Sequence, residues 1–347
     1  MTMSRARVAR RIAAAAAYGG GGVGLLGGAA VGLLIAEVRL AKRTVGGSSD
    51  MPPVADGCYG ATFTRHTGLR PLRLGFLGDS TAAGQGVHRA RQTPGALLAA
   101  GLSAVAERPV DLHNVALPGA QSDDLERQVT LLLADHNLFP DVCVIMIGAN
   151  DVTHRMPPAR SVRLLADAVR RLRAANCQVV VATCPDLGSI EPVYQPLRWV
   201  ARRLSRQLAA AQTIGVVEQG GRTVSLGALL APEFEANPRE LFGPDNYHPS
   251  AEGYATAAMA MLPTLCASLG LWPEEERPGR VGVLPVAKAA ARAVSEGGTE
   301  VAAAGAFGLR GPWALIKHRR RRRLPAPVDP AGHGVGAASA RPHLHLW

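Results

Sequence analysis

Residues 70–272 alternate between short apolar runs and longer stretches of helical periodicity, and that alternation confines the chain to few folds. The apolar runs are Leu72–Leu77, Val110–Leu117, Val142–Ile147, Val179–Thr183 and Ile214–Val217. Between them, Leu97, Leu98, Leu102 and Val105 mark one helical stripe. Leu125, Val129, Leu132 and Leu133 mark a second, and Val162, Leu165, Val169 and Leu172 a third. Residues 192–212 read as a further helix. Thr93-Pro94 has the form of a helix cap followed by proline at the first helical position, and Ser250 caps a last helix through Ala267. Strands joined through helices pair in parallel, so the expectation is a parallel sheet with helices on both faces. Val142–Ile147 is apolar at every position, as expected of a strand buried on both faces.

The formal charge of +11 invites a nucleic-acid reading. Its distribution argues against one. Residues 1–43 carry +6 and residues 310–347 carry +7, which leaves −2 on everything between. The basicity belongs to the two ends, so no nucleic-acid face is expected on the core. The five cysteines (Cys58, Cys143, Cys177, Cys184 and Cys266) show no paired or metal-binding spacing. A disulfide framework is not indicated, although a single bridge is compatible with the count. Buried, inert thiols are expected at Cys143 and Cys184.

Residues 12–36 carry no charge and are long enough to cross a bilayer as a helix. Arg5, Arg7, Arg10 and Arg11 precede them, and Arg39, Lys42 and Arg43 follow. We therefore read residues 1–43 as a membrane anchor, with a cleaved export signal as the alternative. Gly20, Gly24, Gly28 and Gly32 form a small-residue stripe through which two such helices could dimerise, although composition alone also produces that spacing. The flanking charges favour a catalytic domain outside the cytoplasm. Secretion after cleavage and a cytoplasmic placement are the alternatives. Residues 44–69 read as a linker. Residues 273–347, with their basic run and Pro/Gly/His-rich end, are expected to be largely disordered.

Four pieces of the core carry chemistry. Gly78-Asp79-Ser80 follows the first apolar run, Gly119 the second, and Gly148-Ala149-Asn150-Asp151 the third. Asp245-Asn246-Tyr247-His248 lies just before the Ser250 cap. Loops at the carboxyl ends of parallel strands converge on one edge. Singly, each piece is equally well a turn serine, a turn glycine, a loop amide or a pair of solvated residues. Together they supply a nucleophile, oxyanion donors, an orienting carboxylate and a base. Asp79 and Asp151 are read as structural.

In order and spacing the four blocks resemble those of the SGNH (GDSL-type) hydrolases, over roughly residues 70–272. The resemblance implies a three-layer α/β/α, flavodoxin-like sandwich. It implies Ser80 as nucleophile, His248 as base and Asp245 as its orienter. The oxyanion hole would comprise the N–H groups of Ser80 and Gly119 and the side chain of Asn150. Thr81 stands where the family name has leucine, at a position without a catalytic group. The Gly-x-Ser-x-Gly elbow of the α/β-hydrolases is absent. The expected activity is a serine esterase acting on small-molecule or lipid acyl esters, with no metal and no cofactor required. Lysophospholipase, thioesterase and carbohydrate deacetylase chemistry would use the same site. A membrane-anchored interaction protein with a degenerate hydrolase domain is the non-enzymatic alternative.

Overall fold

The computed structural model describes residues 32–40, 50–63, 69–190, 193–271, 281–296, 299–304 and 313–318. Its frame is one nine-stranded sheet. The strands are β1 (Gly57–Tyr59), β2 (Leu72–Gly78), β3 (Val110–Asn114), β4 (Val142–Met146), β5 (Gln178–Ala182), β6 (Arg222–Val224), β7 (Val281–Pro285), β8 (Thr299–Ala303) and β9 (Trp313–His318). Their order is β1-β3-β2-β4-β5-β6-β8-β9-β7. The five strands β3-β2-β4-β5-β6 pair in parallel. β1 joins one side antiparallel, and β8, β9 and β7 extend the other side antiparallel. The sheet is therefore mixed, where the sequence predicts a parallel one.

Helices cover both faces, and strand alternation decides which residues each face receives. Along β4, Val142, Val144 and Met146 face one layer and Cys143 and Ile145 the other. The first layer is closed by α2 (Pro94–Ala106) and α9 (Ala251–Ser268), through Leu98, Leu102, Met261 and Leu265. The second is closed by α3 (Leu125–Leu132), α5 (Pro158–Ala174) and α6 (Leu197–Glu218), through Val129, Leu165, Leu172 and Val216. The caps read from the sequence are in place. Thr93 accepts the Ala96 N–H ahead of α2, and Ser250 accepts the Gly253 N–H ahead of α9.

Three expectations are corrected. Ile214–Val217 is not a strand but the end of α6. Its four residues fit a helical turn as well as an extended run, and Leu208, Gln212 and Val216 continue the buried helical stripe. The strand that follows is the three-residue β6. The expected linker contains β1, which pairs with β3. The expected disordered extension contains β7, β8, β9 and α10 (Val286–Ala293). Val217, Val286, Ala289, Ala293, Val301, Ala314 and Ile316 build a small core beneath it. Glu300 of β8 is buried, bonding Arg222 of β6 at 2.8 Å and Thr264 of α9 at 3.1 Å. The residues of this addition are mostly small, and β8 pairs with a strand far upstream, so no local pattern announces it.

Most of the expected membrane helix over 12–36 lies outside the described residues, as do Gly20, Gly24 and Gly28 of the glycine stripe. Residues 32–40 are helical, and among the described residues no helix is long and apolar enough to cross a membrane. Glu37 in this segment accepts the Leu197 N–H at 2.9 Å, satisfying one of the open donors at the start of α6. None of the five cysteines forms a disulfide. Burial raises the thiols of Cys143 and Cys184 well above their ordinary value.

Glu300→Ala would remove the Glu300 carboxylate from the partly buried Arg222 guanidinium. Breaking such a pair costs on the order of 3 kcal/mol. We expect a loss of that size in urea unfolding. A loss below about 0.5 kcal/mol would show that β8 is not tied to the core through this pair.

Candidate active site

The site is built where the parallel strands stop pairing. β2 ends at Gly78, whose φ of +136° and contact with β4 exclude a side chain: an added Cβ would lie 1.9 Å from the Met146 carbonyl oxygen. The chain then turns through Asp79 into the short helix α1 (Ser80–Ala83). Asp79 caps α1 by accepting the Thr81 N–H at 2.9 Å. Ser80 is thus fixed as the first residue of a helix at a strand end. The loop 242–249 precedes α9 and meets Ser80 through His248. Asn246 takes a left-handed φ of +54°, which asparagine tolerates better than most residues. This turn brings Asp245 and His248 together.

The three side chains form one hydrogen-bonded chain. His248 Nε2 lies 2.8 Å from Ser80 Oγ, and His248 Nδ1 lies 2.5 Å from Asp245 Oδ2. The other carboxylate oxygen accepts the backbone N–H groups of Tyr247 and His248, both at 3.0 Å. All three side chains are buried. Burial raises the Asp245 carboxyl, but the hydrogen bonds from the His248 side chain and from both backbone N–H groups outweigh it. The net position is below the ordinary carboxylate value. Asp245 therefore stays ionised. It is placed to hold the Nδ1–H tautomer, leaving Nε2 to face the hydroxyl.

Gly119 and Asn150 lie in adjoining loops. Gly119 adopts φ +81°, and an added Cβ there would meet nothing within 4 Å, so glycine is required by conformation and this side of the site is open. Asn150, in α4 (Ala149–Thr153), donates one amide hydrogen to the Ala120 carbonyl at 3.0 Å and keeps the other. Asp151 clamps the same two loops. It accepts Ser122 N–H at 2.9 Å and the hydroxyls of Ser122 and Ser161 at 2.5 and 2.6 Å. The structural role expected for Asp151 has this physical form. Among the described residues, the backbone N–H groups of Ser80 and Gly119 have no protein partner. Such an arrangement can deliver a nucleophile to a carbonyl and receive a developing oxyanion. Among the described residues, no group of three or more His, Cys, Asp and Glu side chains could hold a metal ion.

Two supporting residues escape the motif reading. Gln128 of α3 accepts the Gly78 N–H at 2.8 Å and donates to the Gly78 carbonyl at 2.9 Å. Gln212 of α6 accepts the Cys184 N–H at 2.7 Å and donates to the Ile147 carbonyl at 3.1 Å. Both are fully buried. Their signal in the sequence is a polar residue on an otherwise apolar helical stripe: Gln128 is three past Leu125, and Gln212 is four past Leu208.

Asp79 gives a pH test. Burial pushes its carboxyl up to about 6, against the lowering effect of the Thr81 N–H. An unfolded aspartate titrates near about 4, so the folded state holds this proton more tightly. The stabilising contribution is complete below about pH 4 and is lost as pH rises through about 6. Asp79→Asn retains a capping side chain and removes the titration. The stability difference should therefore move in favour of the variant between about pH 4 and pH 7 in urea titrations. A difference independent of pH would contradict the raised value.

Comparison with known proteins gives the family. Residues 76–256 match the GDSL-like lipase/acylhydrolase family. The chain is 41% identical over 280 residues to a GDSL-like esterase of Mycobacterium tuberculosis (strain ATCC 25618 / H37Rv), covering 78% of this chain and 88% of that protein. Among solved structures it is similar to TesA, with 22% identity and a TM-score of 0.44 over 56% of this chain and 99% of that one. It is also similar to a catalytic mutant of an acetylxylan esterase from Geobacillus stearothermophilus. That match has 19% identity and a TM-score of 0.44, over 57% of this chain and 94% of the other. The chain belongs to the GDSL-like lipase/acylhydrolase family, the SGNH hydrolases.

Proposed function

We propose that this protein is a serine esterase that hydrolyses carboxylic acyl esters through an acyl-enzyme. The observation that carries the reading is the unbroken hydrogen-bonded chain from Asp245 through His248 to Ser80. Ser80 Oγ attacks the ester carbonyl while His248 Nε2 takes its proton, and Asp245 steadies the imidazolium through Nδ1–H. The carbonyl oxygen becomes an oxyanion against the N–H groups of Ser80 and Gly119 and the free amide hydrogen of Asn150. Collapse breaks the bond to the alcohol oxygen, which leaves with the proton from His248. Water then attacks the acyl-enzyme, giving its proton to His248, and the acid departs as Ser80 is reprotonated. Every step is a proton or acyl transfer among these side chains, so the cycle closes without a cofactor.

The uncharged run 12–36 and its flanking arginines support a membrane-tethered form with the domain outside the cytoplasm. Protease accessibility in intact cells tests that placement: a domain protected until lysis would reverse it.

Ser80→Ala and His248→Ala should each lower ester turnover by at least about 10³-fold while leaving thermal unfolding near wild type. Asn150→Ala should lower kcat by on the order of 10²–10³ with a smaller change in KM. A Ser80→Ala protein that retained wild-type turnover, or a wild-type protein unlabelled by a serine-directed phosphonate, would remove the esterase reading.

A further inference from the structure

A cavity of about 110 Å³ lies against the segments that carry the proposed catalytic side chains, although Ser80, Asp245 and His248 do not themselves line it. Its near wall is made by sequence neighbours of the proposed machinery: Asp79 and Thr81 flank Ser80, Ala149 precedes Asn150, and Tyr247 and Pro249 flank His248. Its far wall is apolar. Leu226, Leu230, Ala231 and Phe234 come from α7 (Leu226–Ala236), and Leu187 and Ile190 come from the loop after β5. The two carboxylates on the wall are already engaged. Asp79 accepts the Thr81 N–H, while Asp186 accepts the Gly188 N–H and pairs with Arg202 and Arg206. The Tyr247 ring stands edge-on to the His248 imidazole, with centroids 4.9 Å apart, and also lines the cavity.

We infer that this cavity is the acyl pocket, that it takes a short unbranched aliphatic acyl chain, and that α7 sets the length accepted. The inference rests on the esterase reading and adds which half of the ester is enclosed. The Gly119 side is open, since an added Cβ there meets nothing within 4 Å. The half that departs first needs an exit, and the half that stays on Ser80 benefits from an enclosing apolar wall. The open side therefore suits the leaving alcohol and the attacking water, and the cavity suits the acyl chain. Size sets the limit. An apolar cavity of about 150 Å³ accommodates benzene, so this one holds a chain of about four carbons. Within that limit each methylene transferred from water raises kcat/KM about fourfold. Butyrate esters should exceed acetate esters by roughly 15-fold, and octanoate esters should fall below butyrate.

The test is kcat/KM on p-nitrophenyl acetate, butyrate, hexanoate and octanoate, with Ser80→Ala as the blank. Ala231→Phe fills the cavity and should bring the butyrate-to-acetate ratio down to about 1. Leu230→Ala enlarges it and should move the maximum to hexanoate. Leu230→Ala also carries the test if Ala231→Phe does not fold. Ser80-dependent hydrolysis with an identical chain-length profile in wild type and the folded variants would overturn the pocket and leave the esterase reading standing. If no ester is hydrolysed in a Ser80-dependent way, the esterase reading fails. The pocket is then judged by thermal melts of Ser80→Ala protein with sodium butyrate. A butyrate shift abolished by Ala231→Phe would retain the cavity as a short aliphatic acid site, and the absence of any shift would remove it.

Discussion

A parallel sheet supplies its own strands with hydrogen-bond partners only as far as the strands remain in register. At their carboxyl ends the chains diverge, and buried backbone groups must find other partners. That requirement governs this structure. Gln128 meets both backbone groups of Gly78, and Gln212 joins the Ile147 carbonyl to the Cys184 N–H. A side-chain amide suits the task because it offers a donor and an acceptor in one plane, as a neighbouring strand would. Ser80 and Asn150 follow directly on segments held in this way.

The loops beyond these brackets are fixed by short-range bonds. Asp151 gathers Ser122 and Ser161, and Asn150 holds the Ala120 carbonyl, so the Gly119 loop and the Asn150 helix are tied together. Asp245 receives two backbone N–H groups of its own turn before it meets the imidazole. The side chains of the proposed triad are therefore held by their own loops, in directions largely set before a substrate arrives, which is the condition for stabilising developing charge without reorganisation.

How far this was legible in the sequence depended on the range of the controlling interaction. The caps at Thr93 and Ser250 are local and were readable, as was β4, whose continuous apolar run signals burial on both faces. The four motif blocks were readable because each follows a strand or precedes a cap. Ile214–Val217 reads as a strand although it ends a helix, because four apolar residues carry too little periodicity to separate the two. β7, β8 and β9 have no local pattern in the sequence, because their side chains are mostly small and β8 pairs with a distant strand. Gln128 and Gln212 were visible as polar interruptions of apolar stripes, but their partners are backbone groups, which a sequence does not display.

The antiparallel addition after residue 280 also changes where the catalytic unit ends. β6 has only three residues, and without β8 its outer side would present unpaired N–H and C=O groups beside the apolar end of α6. Such an edge recruits strands from other molecules. A protein shortened to the span of the family match would keep every proposed catalytic side chain and still expose that edge. In this chain that edge is covered by a segment that carries none of the proposed catalytic side chains.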